Sequence, residues 1–260
     1  ISLSAREVQI YNLVFPNMSD QESREAIRYK LVQLKPFGLD INQVEFRYLK
    51  SDGFLAKKST QQRYLVVCAS KDVIQQKIAS FKEFGLKVTA VEFEPLALIN
   101  ISKLAGAPAS AKDQLVLWFD MGARESFLVI ESGGLAHFVR TISLASQNLT
   151  QQIQDAMRIP QEEAENAKQN FGLSAWVPEK PPGTIIKTAE PPKKAEGPET
   201  SVYNSLVSTL ENLLIDIEHS FKYFSYQITQ SEIKNFDSLV LSGGGAKLKN
   251  LENYLNEKLG

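Results

Sequence analysis

The sequence is poor in side chains that bind metal or form disulfides: 260 residues hold one cysteine, Cys68, and two histidines, His137 and His219. One cysteine cannot close an internal disulfide, and this set cannot build a Cys/His zinc centre, so the chemistry expected is cytoplasmic and zinc-free. No apolar run is long. The best stretches, Tyr64 to Ala69 and Leu115 to Phe119, fall far short of the roughly 20 residues that cross a bilayer. Neither charge dominates: 29 Lys plus Arg face 30 Asp plus Glu, a formal net charge of −1, which gives no bulk positive field for nucleic acid or acidic lipid. There is no initiator methionine, and no charged leader precedes an apolar segment. Because Leu3 to Phe15 already reads as strand, the expectation is a chain truncated at its N-terminus. What remains is ordinary globular composition, 43% hydrophobic and 23% charged, enough for one large domain or two smaller ones.

Along the chain, strand and helix patterns alternate. Ser19 and Glu22 have capping-box spacing before a helix carrying Ala26, Ile27, Leu31 and Leu34, which Pro36 stops. Val44 to Leu49 and Tyr64 to Cys68 read as strands joined by the polar loop Ser51 to Gln61. Ser70 precedes a second helix ending near Gly85. Leu86 to Phe93 returns to strand, and Pro95 opens a third helix to Leu104, followed by a connector, Gly106 to Lys112. Leu115 to Asp120, Phe127 to Ile130 and Leu135 to Ile142 predict a three-strand meander. Two helices follow, one bearing Leu149, Ile153 and Ala156, the next opening at Pro160. Between Ala175 and Thr200, six of 26 residues are proline and no apolar period is visible, which reads as a linker. Val202, Leu206, Leu210, Leu213, Ile217, Phe221 and Phe224 then form the longest helical stripe. A strand Phe236 to Leu241, a glycine turn and a closing helix with Leu248, Leu251, Tyr254 and Leu255 complete the chain.

Two local patterns carry chemistry. In Leu241-Ser242-Gly243-Gly244-Gly245-Ala246 a buried strand feeds glycines and a helix start, where backbone can approach a flat or anionic ligand. The same pattern is also what a tight strand-to-helix turn needs, and its spacing matches neither the GxGxxG nor the GxxxxGK[ST] loop. In Asp120-Met121-Gly122 an acid leaves a buried strand into a glycine turn; it can face a hydrated Mg2+ while turn amides face phosphate, or simply be a hairpin. Other candidates have plainer readings. Cys68 sits among Val66, Val67 and Ala69 as a small core residue, and His137 and His219 lack partners at ligand spacing. Glu162, Glu163 and Glu165 complement a helix start, and Phe221, Tyr223, Phe224 and Tyr226 belong to an apolar stripe.

The order strand, Asp120-x-Gly122 hairpin, Leu149-Thr150 helix, long acid-bearing helix, then Leu241-Ser242-Gly243-Gly244-Gly245-Ala246 resembles the actin-like nucleotide-binding fold, and within it the PilM-type pilus assembly proteins. Upstream, Val14-Phe15-Pro16-Asn17-Met18-Ser19, Pro36-Phe37-Gly38-Leu39-Asp40, Lys71-Asp72-Val73, Phe84-Gly85-Leu86-Lys87-Val88 and Val91-Glu92-Phe93-Glu94-Pro95-Leu96-Ala97-Leu98 follow the same family order. The resemblance implies an α/β, ribonuclease H-like, two-lobed fold. Residues 1–112 would be the remainder of the first lobe, with an inserted subdomain at about 18–89. Residues 113–260 would form the second lobe, with the Pro-rich loop at 175–200. It implies ATP and Mg2+ as cofactors, with Asp120 and Gly122 at the second phosphate loop and Asp120 facing the metal. Ser242, Gly243, Gly244 and Gly245 would line the adenosine loop, and Asp216 and His219 stand where the family has Glu and Arg on the long helix.

The chain also departs from the family. It begins after the first phosphate loop, Arg124-Glu125-Ser126 replaces a hydroxyl-rich turn, and Leu144-Ala145-Ser146-Gln147-Asn148 replaces a Gly-Gly pair. Because phosphoryl transfer depends on positioning and charge neutralisation, hydrolysis should suffer more than folding. The function implied is an actin-like scaffold on the cytoplasmic face of a type IV pilus machine. It would hold the cytoplasmic tail of an inner-membrane partner along the exposed edge of residues 1–93, without binding nucleic acid or spanning the membrane itself. A homo-oligomer is compatible with it. The competing readings are an ATPase or small-molecule kinase of the same superfamily, and a type II secretion component.

Overall fold

The computed structural model describes residues 1–51, 61–104, 114–178, 197–229, 233 and 235–259. The polar loop, the connector and most of the Pro-rich stretch named above lie outside the described residues. The chain divides into two compact units.

The first unit comprises Ile1–Leu117, Leu128–Thr141 and Lys222–Ser238. It opens with β1 (Ser2–Leu3), a 3-10 turn and β2 (Val8–Pro16), so the predicted strand from Leu3 to Phe15 is broken at Ala5–Glu7. The break is a local one: Ser4 N–H and Oγ both donate to Glu7 Oε2, at 2.7 and 2.9 Å. Lys77 also reaches that carboxylate, at 2.6 Å. Helix α1 (Asp20–Leu34) starts at the expected capping box, with Glu22 N–H donating to Ser19 Oγ and Ser19 N–H to Glu22 Oε2. It ends at Lys35, whose left-handed φ of 47° turns the chain into Pro36.

Strands β3 (Val44–Ser51) and β4 (Gln61–Ser70) pair antiparallel, and β4 also pairs antiparallel with β2, giving the order β2-β4-β3. The central place of β4 follows from its sequence: Tyr64, Leu65, Val66, Cys68 and Ala69 are buried, a nearly continuous apolar run suited to a strand covered on both faces. On one face, Leu13, Phe46, Tyr64, Val66 and Cys68 form a core with Ile27 and Leu31 of α1. There burial pushes the Cys68 thiol up to about 12.

Helix α2 (Lys71–Glu83) follows directly; Ser70 stands at its N-cap, although its side chain makes no capping bond. The strand expected over Leu86 to Phe93 contracts to β5 (Glu92–Phe93), parallel to β1, and α3 (Glu94–Leu104) follows at once.

A four-stranded sheet has the order β8-β7-β6-β9, from β6 (Val116–Met121), β7 (Ser126–Ser132), β8 (Leu135–Ile142) and β9 (Ser238–Ser242). The expected meander is present, and the last strand pairs beside its first. The second unit comprises Trp118–Phe127, Ile142–Phe221 and Leu239–Gly260. It holds α4 (Ser146–Met157), α5 (Gln161–Phe171), most of α6 (Pro198–Tyr223) and α7 (Leu251–Leu259). Its core combines residues from the apolar faces expected of three helices: Leu149 and Ile153 of α4, Val202, Leu206, Leu210 and Leu213 of α6, and Leu251 and Leu255 of α7 are fully buried. The long helix starts four residues before the first residue of its apolar stripe, at Pro198, a tolerated first-turn position. It passes into a π-helical segment, Phe224–Thr229, in place of its predicted last turn.

Candidate functional site

Within the second unit, the Asp120 carboxylate at the end of β6 meets the glycine loop after β9. Ser242 Oγ donates to Asp120 Oδ1 at 2.7 Å, across 122 residues of sequence. The glycines divide by surroundings. Gly243 has φ +82°, and a Cβ there would lie 2.5 Å from the Met121 carbonyl oxygen and 2.9 Å from Asp120 Oδ1. A Cβ on Gly245 would collide with the fully buried Met121 side chain. Both glycines are thus explained by close packing on the end of β6. Gly244 has nothing within 4 Å of a built Cβ, so it is the glycine of the three that opens onto space a ligand can use.

The turn after Asp120 is closed internally. Gly122 N–H donates to the Glu125 carbonyl at 3.1 Å, and a Cβ at Gly122 would sit 2.5 Å from that oxygen. Ser146 and Gln147 N–H donate to the Gly122 and Ala123 carbonyls at 3.0 and 2.9 Å, while Ala145 N–H donates to Asn148 Oδ1 at 2.8 Å. These amides at the start of α4, which elsewhere could hold an anion, are committed here. The Gly122 amide is likewise bonded within its own hairpin. Arg124, exposed on this turn, is the cation nearest in sequence to Asp120. Asp216 is half-buried on α6, with its carbonyl accepting Ser220 Oγ at 2.6 Å, and His219 is exposed on the same helix.

Beside α4 lies a polar cluster that sequence reasoning missed. Lys168 is 6% exposed. Its ammonium donates to Ser146 Oγ, Thr150 Oγ1 and Glu165 Oε2 at 2.8, 2.7 and 2.8 Å. Burial alone would raise the Glu165 carboxyl, but hydrogen bonds from Lys168, Thr150 and Gln169 and the lysine's charge outweigh it and hold it at about 2. Glu162 and Glu163 do occupy the first turn of α5 as expected; Glu165 instead belongs to this pair. The signal was its i,i+3 spacing to Lys168.

As to Mg2+, no group of three or more His, Cys, Asp or Glu side chains among the described residues could hold a metal. A single carboxylate at Asp120 still fits Mg2+, which takes most of its ligands from water and phosphate.

The first unit holds a different feature. On the sheet face opposite α1, Glu45, Arg47 and Leu49 of β3 and Leu65, Val67 and Ala69 of β4 floor a cavity of about 460 Å3. Leu3, Ile74 of α2, Val91, Phe93 and Leu96 complete its walls. Among the described residues β3 pairs only with β4 and forms an edge of its sheet. Arg47 donates to Glu45 along this edge.

The structure is similar to a PilM-PilN type IV pilus biogenesis complex, with TM-score 0.71 and 21% identity over 100% of this chain and 66% of that one. It is also similar to MreB5 of Spiroplasma citri bound to AMPPNP, with TM-score 0.51 and 16% identity over 71% of this chain and 57% of that one. This chain therefore spans just under two thirds of the length of the chain it matches in the PilM-PilN complex. Together with a match of residues 118–260 to the cell division protein FtsA family, these likenesses identify the fold as the α/β actin-like one. No curated protein matches in sequence. Residues 2–177 match the family described as type IV pilus assembly protein PilM, a span that includes the edge-strand groove and the Asp120 hairpin, and the chain belongs to that family.

Proposed function

We propose that this protein is a scaffold of a type IV pilus assembly machine, which holds the extended cytoplasmic tail of an inner-membrane partner in the groove beside β3. The observation that carries this reading is the pairing of an apolar cavity with a strand edge that has no partner among the described residues. An added strand supplies main-chain hydrogen bonds, and alternate side chains fill pockets. Leu49, Leu65, Val67 and Leu96 would take apolar side chains of the tail, and Arg47 and Glu45 would fix its polar groups. That the similar structure is a complex with PilN supports the choice of a partner segment as occupant. On this reading the protein is cytoplasmic and reaches the membrane through its partner; no helix among the described residues is long and apolar enough to cross one.

Nucleotide has a secondary place in the proposal. Gly244 would lie against the adenosine, and Asp120, positioned by Ser242, would face a phosphate-bound Mg2+, with Arg124 adding positive charge. Bound ATP would supply phosphates for that ion. The committed amides of Gly122, Ser146 and Gln147 leave few donors for a transition state, which argues for binding with little turnover.

Calorimetry with synthetic peptides of the candidate partner's cytoplasmic tail tests the proposal. Micromolar binding is expected, with at least tenfold loss in Leu49→Asp, whose folding is verified by circular dichroism. Tails that do not bind the natural chain, or that bind it and Leu49→Asp equally, would remove the groove from the account. Steady ATP turnover abolished by Asp120→Ala would instead favour the enzyme reading.

A further inference from the structure

The C-terminal end of α2 is closed by backbone hydrogen bonds into an apolar tip. Gly85 takes φ +74°. Phe84, Gly85 and Leu86 N–H donate back to the Phe81, Lys82 and Phe81 carbonyls at 3.2, 2.9 and 3.1 Å. This bonding pattern, with a left-handed glycine, fixes the helix end and tends to bring the residues at the Phe81 and Leu86 positions together. Yet the side chains it presents are apolar and face solvent: Phe81 is 36%, Phe84 80% and Leu86 56% exposed. Lys82 and Lys87 flank them, both exposed, and Glu83 is the one acid among residues 81–87. None of the ion pairs found among the described residues uses either lysine.

We infer that this tip docks on an anionic lipid surface. Area argues against a protein as the main occupant. Three partly exposed side chains offer roughly 300–400 Å2, about half of what each partner commits to a standard protein interface. An aromatic and aliphatic wedge bordered by ammonium groups has the chemistry of an interfacial anchor: rings and methyls enter the acyl boundary while lysines meet lipid phosphates. The net charge of −1 supplies no bulk attraction, so the contact rests on these side chains alone. It is weak, reversible and sensitive to salt. The inference does not depend on the groove or on nucleotide.

Sedimentation of the full chain with sonicated vesicles decides it. Vesicles with one third phosphatidylglycerol in phosphatidylethanolamine should carry the protein down, and phosphatidylcholine vesicles at least tenfold less. Lys82→Gln/Lys87→Gln should weaken binding about thirtyfold, at one lipid-binding increment per lysine. Phe84→Ser/Leu86→Ser should weaken it at least tenfold while leaving the circular dichroism spectrum unchanged. No sedimentation of the natural chain with anionic vesicles at millimolar lipid would overturn the inference, as would equal binding by Phe84→Ser/Leu86→Ser. A dimer in light scattering that this double variant dissociates would assign the tip to a second copy instead, and also overturn it.

Discussion

Gly243 and Gly244 are adjacent in the chain and face opposite demands. A methyl at Gly243 meets backbone, the Met121 carbonyl, with φ already at +82°. Neither obstacle can rotate away, so Gly243→Ala should destabilise the protein by about 2 kcal/mol or more. A methyl at Gly244 meets nothing within 4 Å, and Gly244→Ala should change stability by less than about 1 kcal/mol. If nucleotide lies against this loop, the same substitution intrudes on the ligand and should weaken a fluorescent ATP analogue several-fold. Thermal melts and titration of both variants separate the two roles. Equal melting temperatures for them would show that the loop packs differently from the structure. The Ser242 to Asp120 hydrogen bond belongs to the same scale: it ties one oxygen of the carboxylate at the end of β6 to the glycine loop.

At the scale of elements, the α4–α5 pair is joined by a buried ammonium and its carboxylate partner. Glu165 falls from the ordinary 4.5 to about 2 in the folded protein. A depressed acid stabilises the fold above its unfolded pKa, and that contribution drains away as pH falls from about 4.5 through 2. The Glu165 side chain is 39% exposed; discounted for solvent screening, the acid-sensitive contribution is about 1 kcal/mol. Urea melts from pH 6 to pH 2.5 should therefore show a shallower acid loss for Glu165→Gln than for the natural chain. Parallel curves would separate the pair from acid stability. Elements whose signals are local were legible in the sequence: the Ser19–Glu22 box sets the start of α1, and the uninterrupted run Tyr64 to Ala69 belongs to a central strand. The encounter of Asp120 with Ser242 was legible only through family resemblance, because nothing local specifies a contact across 122 residues. The strand expected from Leu86 failed because Leu86 caps a helix end and only Glu92 and Phe93 find a partner in β1. Lys168 escaped notice because a lysine in a polar helix reads as solvated until Ser146 and Thr150, from another helix, surround it.

For the whole molecule, the division into two units sets what a ligand can report. Every groove residue belongs to the first unit, and Asp120, Gly122, Asp216, His219 and Ser242 to Gly245 belong to the second. A tail peptide laid along β3 should slow hydrogen exchange at the β3 amides that point away from β4 and around Glu92–Phe93. An ATP analogue should instead slow exchange at 242–247. Any change that one ligand makes in the other's affinity is then a coupling free energy between units, and it must be reciprocal. Exchange measured with each ligand alone and with both tests this arrangement. Peptide protection confined to 242–247 would place the partner away from β3. Protection of β3 by the peptide, with equal peptide affinity in the presence and absence of the ATP analogue, would define a scaffold whose grip on its partner is independent of nucleotide, since a ligand with no differential effect on a second site carries no signal to it.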